Sequence, residues 1–223
     1  MTQLLVSVTS IAEAQIALEN GVDIIDLKDP AAGALGALPL SQIEAIVDFI
    51  DGRTLLSTTI GDIPMEPQLI FDSVVKLSNI KVDFIKIGFF PSDDYQATLD
   101  RLKLITAKGV KLVAVLFAEH RYSDTLIRSI QLAGFNGVML DTAQKRGKTF
   151  MYYQSAINSK EFAKNVSGFG MSFGLAGSLQ LQHVVALKEL NPTYIGFRGG
   201  VCDENKRELS LNSDKIRAIR NAL

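Results

Sequence analysis

Short β-branched or apolar runs alternate along this chain with longer segments of helical period, beginning with residues 4–8, then 11–20, then 22–27. Further strands are predicted over 54–58, 82–89, 111–117, 137–140, 171–174 and 194–197, which with the first two makes eight. Helices are predicted between them over 41–49, 66–78, 94–107, 123–133, 153–163 and 179–190, with a last one over 213–222. Gly21, Gly109 and Gly134 each follow a helical segment and precede a strand, where a left-handed cap is wanted. Ser10, Ser41, Ser123 and Ser178 stand near helix starts as N-caps.

Eight strand–helix units in 223 residues average about 28 residues each, which is compact but sufficient for a single (β/α)8 TIM barrel spanning 1–223. Right-handed crossovers would close the parallel sheet. An open Rossmann-like sheet is the rival, weakened because Val8-Thr9-Ser10-Ile11 stands where a GxGxxG turn would follow the first strand. The Gly/Ala-rich stretch 30–39 is expected as a loop on the catalytic face. The apolar run 87–90 before Pro91 is expected to be partly exposed, and the chain is expected to form a homo-oligomer.

Strand side chains alternate, so Asp26 and Lys28 point to one side while Ile25 and Leu27 face the helices. The same parity turns Phe84, Lys86 and Gly88 inward, and sends Asp141 inward with Met139. Lys145 follows just past Asp141. Three lysines and two carboxylates would thus crowd one barrel mouth. A lone strand-end lysine is commonly a rim ion pair, but this convergence argues for chemistry. An ammonium held against apolar walls loses hydration, and the resulting free amine attacks carbonyls. A Schiff-base enzyme is therefore expected.

Gly174-Leu175-Ala176-Gly177-Ser178 follows the seventh strand, and Arg198-Gly199-Gly200 the eighth. Backbone N–H groups exposed by glycine hold phosphate, and loops seven and eight form the usual phosphate site of barrels. Gly177, Ser178, Arg198, Gly199 and Gly200 are the expected phosphate ligands, with Arg198 supplying a charged fork. A phosphorylated carbonyl substrate follows, most simply a triose phosphate. Glu119 and His120 after the fifth strand are either a proton-transfer pair or a solvated loop pair, and His183 on the seventh helix is read as structural. Two histidines and one cysteine offer no metal-ligand spacing, and no cofactor is expected.

The 23 basic and 24 acidic residues nearly cancel, with no run of like charge to suit nucleic acid or a membrane surface. Cys202 is the single cysteine, so no intrachain disulfide is possible. No basic-then-apolar leader or membrane-length apolar stretch is seen, and the expected compartment is the cytoplasm.

At Ile24-Ile25-Asp26-Leu27-Lys28-Asp29-Pro30 and Gly33-Ala34-Leu35-Gly36-Ala37 the chain resembles the (5-formylfuran-3-yl)methyl phosphate synthases. The resemblance continues through Asp83-Phe84-Ile85-Lys86-Ile87-Gly88, Val138-Met139-Leu140-Asp141-Thr142-Ala143 and both glycine loops, covering nearly the whole chain. It implies a barrel condensing two glyceraldehyde 3-phosphates into a furan aldehyde phosphate, an early step of methanofuran biosynthesis. It also implies a Schiff-base role for Lys28, proton transfer by Lys86, and a further acid and lysine at Asp141 and Lys145, with Asp26 beside the first lysine. Lys148 is an alternative to Lys145, and Asp29 stands where the family often carries Asn. A class I aldolase-type lyase and a non-catalytic sugar-phosphate-binding barrel are the competing functions.

Overall fold

The computed structural model describes residues 1–144 and 148–223. Eight parallel strands close into a barrel in sequence order: β1 (Gln3–Val8), β2 (Ile24–Leu27), β3 (Leu55–Thr59), β4 (Phe84–Phe89), β5 (Leu112–Phe117), β6 (Gly137–Asp141), β7 (Ser172–Leu175) and β8 (Tyr194–Phe197). The expected TIM barrel is the architecture found, and each strand lies within two residues of its predicted bounds at either end. Around it run α1 (Ile11–Glu19), α2 (Leu40–Ile50), α3 (Pro67–Ser78), α4 (Gln96–Thr106), α5 (Asp124–Leu132), α6 (Phe150–Tyr153), α7 (Ala156–Gly168), α8 (Val184–Lys188) and α9 (Ser213–Ala222).

Strand parity divides the core into two apolar bodies. Outward residues such as Ile25, Leu27, Ile85, Ile87 and Phe89 pack against the helices, and inward residues Leu5, Ile24, Val113, Met139 and Tyr194 fill the barrel floor. The floor closes because small residues face large ones. A Cβ on Gly174 would lie 2.3 Å from the Tyr194 ring, so only glycine leaves that ring its place. Above the floor the inward positions turn polar: Ser7, Asp26, Ser57, Lys86 and Asp141 are all buried. An apolar floor under a polar mouth is what aims the charged side chains at one space.

Several details differ from the sequence expectation. The run 87–90 is not an exposed patch: Ile87 and Phe89 are fully buried, and Phe90 packs on Phe117 with ring centroids 4.8 Å apart. The predicted helix 153–163 starts later and runs further, as α7, because Ser155 caps it by accepting from the Asn158 N–H, and the short α6 before it was not expected. Predicted helix 179–190 shrinks to a 3-10 turn and α8. Ser178 caps nothing there; it sits at φ 53° in a left-handed bend that starts the turn late. Ser41 is also no cap, since α2 begins at Leu40 behind Pro39. Ser10 does cap α1, and Gly21, Gly109 and Gly134 take the expected positive φ of 71°, 89° and 83°.

Candidate active site

At the C-terminal mouth a cavity of about 290 Å³ is lined by Asp26, Lys28, Lys86 and Asp141 together with both glycine loops. That is the size of a small-metabolite pocket at the face where barrels carry their chemistry. Register explains the polar layer beneath it: Ser7, Asp26 and Ser57 are paired neighbours on β1, β2 and β3. The Asp26 carboxylate accepts from Ser7 Oγ at 2.9 Å and Ser57 Oγ at 2.7 Å, and Lys86 Nζ lies 2.6 Å from its Oδ1. Burial alone would raise the Asp26 pKa, but the nearby charges of Lys86 and Lys28 outweigh it and hold the carboxyl below its ordinary value. The two serines were not singled out from sequence; their inward parity with Asp26 was the available signal.

Lys28 is 7% exposed, at the end of β2 on the same parity as Asp26. Tyr194 lies deeper in the barrel, and burial followed by the Asp26 charge pushes its phenol pKa up, so it stays a neutral hydroxyl. Asp141 ends β6 and accepts from the Thr142 N–H at 2.7 Å. The Glu119 carboxylate takes the next two amides, Ala143 N–H at 3.0 Å and Gln144 N–H at 2.9 Å. It thereby anchors the loop that leads to residue 145, a role distinct from the proton transfer weighed for it. Lys145 itself lies outside the described residues. Lys148 is exposed, with its ammonium 3.8 Å from the Tyr152 ring centroid. His183 is structural as read, its Nδ1 accepting from the Gln180 N–H at 3.0 Å.

The glycine loops meet face to face. A Cβ on Gly200 would come within 2.3 Å of the Leu179 carbonyl, and Gly177 takes φ 102°. The N–H groups of Gly177, Ser178, Gly199 and Gly200 donate to no acceptor among the described residues. All four residues line the cavity, and backbone amides without acceptors at a cavity wall are suited to an anion.

Arg198 is used otherwise than the sequence suggested. Its Nη1 and Nη2 donate to Glu13 at 2.6 and 3.0 Å, Nη1 also to Ser7 O, Nε to Arg207 O at 2.7 Å and Nη2 to Leu209 O. A guanidinium so saturated has no fork left for a phosphate; it ties the loop after β8 to β1 and α1. Among the described residues no group of three or more His, Cys, Asp and Glu gathers as a metal site, and no helix is long and apolar enough to cross a membrane.

The sequence profile of the 4-HFC-P synthases matches residues 4–220. The chain belongs to that family. The (5-formylfuran-3-yl)methyl phosphate synthase of Methanococcus maripaludis strain C7 is 36% identical over 97% of this chain and 97% of its own. The synthase of the same name from Methanocaldococcus jannaschii is 34% identical over 92% of each chain. Solved structures share the barrel without close sequence. Phosphoribosyl anthranilate isomerase from Thermus thermophilus superposes with a TM-score of 0.71 at 13% identity, covering 99% of this chain and 98% of its own. A 3-hexulose-6-phosphate synthase gives 0.62 at 13% identity over all of both chains. The expectation of a 4-HFC-P synthase-type enzyme thus stands on family membership, and the barrel on its geometry.

Proposed function

We propose that this 4-HFC-P synthase family member condenses two molecules of glyceraldehyde 3-phosphate into (5-formylfuran-3-yl)methyl phosphate for methanofuran biosynthesis, through a Schiff base on Lys28. The observation that carries the reading is the convergence of Lys28, Lys86 and Asp26 on one buried wall beside an amide cradle. Two triose phosphates less one phosphoric acid and two waters give the furan aldehyde phosphate, so no net oxidation or reduction occurs.

In this mechanism Lys28 condenses with the aldehyde of one triose phosphate, and the Lys86 ammonium gives its proton to the hydroxyl that leaves as water when the imine forms. Lys86, now an amine, takes the C2 proton, inorganic phosphate leaves from C3, and the C3 carbon of the resulting enol attacks the ketone of the second triose, reacting as its ketone isomer. Asp26 keeps Lys86 in place and balances its charge between proton transfers. Asp141, with Lys145, serves ring closure and the two dehydrations, after which water hydrolyses the imine and frees the furan aldehyde from Lys28. The amides of Gly177, Ser178, Gly199 and Gly200 anchor one phosphate while the other leaves.

Incubation with glyceraldehyde 3-phosphate alone tests this. A conjugated furan aldehyde should appear by ultraviolet absorbance, with one inorganic phosphate released per product. A product that keeps both phosphates would instead make the chain an aldolase-type lyase. Absence of turnover, with no borohydride-trapped adduct on Lys28, would leave only sugar-phosphate binding.

A further inference from the structure

The loop after β8 carries a cation that the sequence did not single out. Arg207 lines the mouth cavity with only 16% of its side chain exposed. Its backbone is fixed, since Arg198 Nε donates to the Arg207 carbonyl. Its Nη2 donates to the Gly33 carbonyl at 2.9 Å, crossing from the β8 loop to the β2 loop. The remaining donors are poorly used. Nε is buried without a hydrogen-bond acceptor, the Glu208 carboxylate being 3.9 Å away, and Nη1 has no acceptor among the described residues.

A half-buried guanidinium whose Nε is closed to solvent without an acceptor costs free energy unless something anionic completes it. The surroundings say where that anion would sit. A Cβ on Gly199 would lie 3.8 Å from Arg207 Cβ, so the side chain springs from the rim of the amide cradle. The charges of Glu208, Asp141 and Asp62 act on it, against that of Arg198. Asp141 lines the cavity at the end of β6, and Asp62 holds the β2 loop by accepting from Ala34 and Leu35 N–H. Burial pushes the Arg207 pKa down from the ordinary arginine value, but arginine starts high enough to remain a cation at neutral pH.

We propose that Arg207 is the arginine ligand of the substrate phosphate, reaching over the Gly199 edge of the cradle, while Arg198 acts only as the clamp that presents it. The proposal deepens the triose phosphate reading above and rests on it for the ligand class, a phosphate monoester. Anion arrival would complete the guanidinium while the Nη2 bond to Gly33 draws the β2 loop, and with it Lys28, against the bound molecule.

The test measures glycerol 3-phosphate and inorganic phosphate binding by calorimetry, with KM and kcat for glyceraldehyde 3-phosphate alongside. Arg207→Gln should bind both ligands about 10- to 100-fold more weakly, and Arg207→Lys several-fold more weakly, with the larger kinetic effect in KM. The wild-type protein supplies an independent reading: the Arg207 Nε–H resonance, assigned by its loss in Arg207→Lys, should shift when glycerol 3-phosphate is added and stay put with glycerol. Unchanged phosphate affinity in Arg207→Gln would overturn the proposal, as would an unmoved Nε–H resonance at saturating ligand. If Arg207→Gln does not fold, the wild-type resonance decides by itself. Weakened phosphate binding in a protein that never converts glyceraldehyde 3-phosphate would sink the synthase reading and leave Arg207 as the phosphate ligand.

Discussion

Lys86 on β4 reaches past β3 to Asp26 on β2 and places its ammonium 2.6 Å from the carboxylate, with both side chains at most 3% exposed. Two hydroxyls flank the pair, Ser57 donating to the same carboxylate oxygen and Ser7 to the other. An ion pair so deep is poor support for stability as such, because desolvation offsets the attraction. Breaking it from one side is another matter.

Asp26→Asn would leave the Lys86 cation buried beside a neutral amide. The expected cost is about 3–5 kcal/mol, read as a fall in Tm of roughly 10 °C in a chain of this size. Replacing both partners, Asp26→Leu with Lys86→Met, should restore much of the stability and none of the turnover. Thermal melts of the wild type and the two variants check this, and a double variant no more stable than Asp26→Asn would contradict it.

Acid should weaken the fold through the same carboxylate. Its folded pKa lies below the unfolded value of 3.8, so its stabilising contribution is present in full above the unfolded value and is lost as pH falls through the lower, folded one. Denaturant melts between pH 6 and pH 2 should therefore show a steeper loss below about pH 4 in the wild type than in Asp26→Asn. Parallel curves would mean that other carboxylates dominate acid unfolding.

Lys28→Arg keeps a cation at the mouth but removes the amine that forms an imine, since a guanidinium does not deprotonate at working pH. The variant should retain its far-ultraviolet circular dichroism and lose activity by several orders of magnitude. Borohydride in the presence of glyceraldehyde 3-phosphate should add a stable mass to the wild type at Lys28 and none to the variant. Full turnover by Lys28→Arg would remove that residue from the nucleophile role.

The Arg198–Glu13 pair is nearly closed to solvent, at 8% and 12% exposure, and joins the last loop to the first helix. Glu13→Gln strips the charge from two hydrogen bonds at once and should cost about 2–3 kcal/mol. Because the clamp holds the loop bearing Arg207, KM should rise about tenfold while kcat changes less. A variant with wild-type KM would show that the loop keeps its place without the clamp.

Cys202 is fully buried, and burial pushes its thiol pKa up to about 11. Iodoacetamide at pH 7.5 should leave the native protein unlabelled and modify one site after denaturation. Rapid labelling of the native protein would reveal opening of the short bridge between Cys202 and Leu211.

Much of the site was legible because it depends on parity. Once 22–27 and 82–89 read as strands, the inward direction of Asp26, Lys28 and Lys86 followed from a two-residue repeat. The glycine loops were legible for a similar reason, their place after strands seven and eight being fixed by counting. The arginines were not. Arg198 looked like a phosphate fork because it adjoins two glycines, yet its partners Ser7 and Glu13 lie 191 and 185 positions away in the chain. Arg207 sits in a loop of no regular pattern, and only the folded chain lays it beside Gly33, 174 positions earlier.

By itself the sequence determined the strand–helix alternation, the barrel it closes into, and the side of each strand on which charge would appear, because period and turn chemistry act between near neighbours. Tertiary structure alone decided which carboxylate meets which cation. Those choices follow from barrel closure, which brings β1 against β8 and places Ser7, Asp26 and Ser57 at one level. Burial then makes each polar atom depend on a partner that no local pattern encodes.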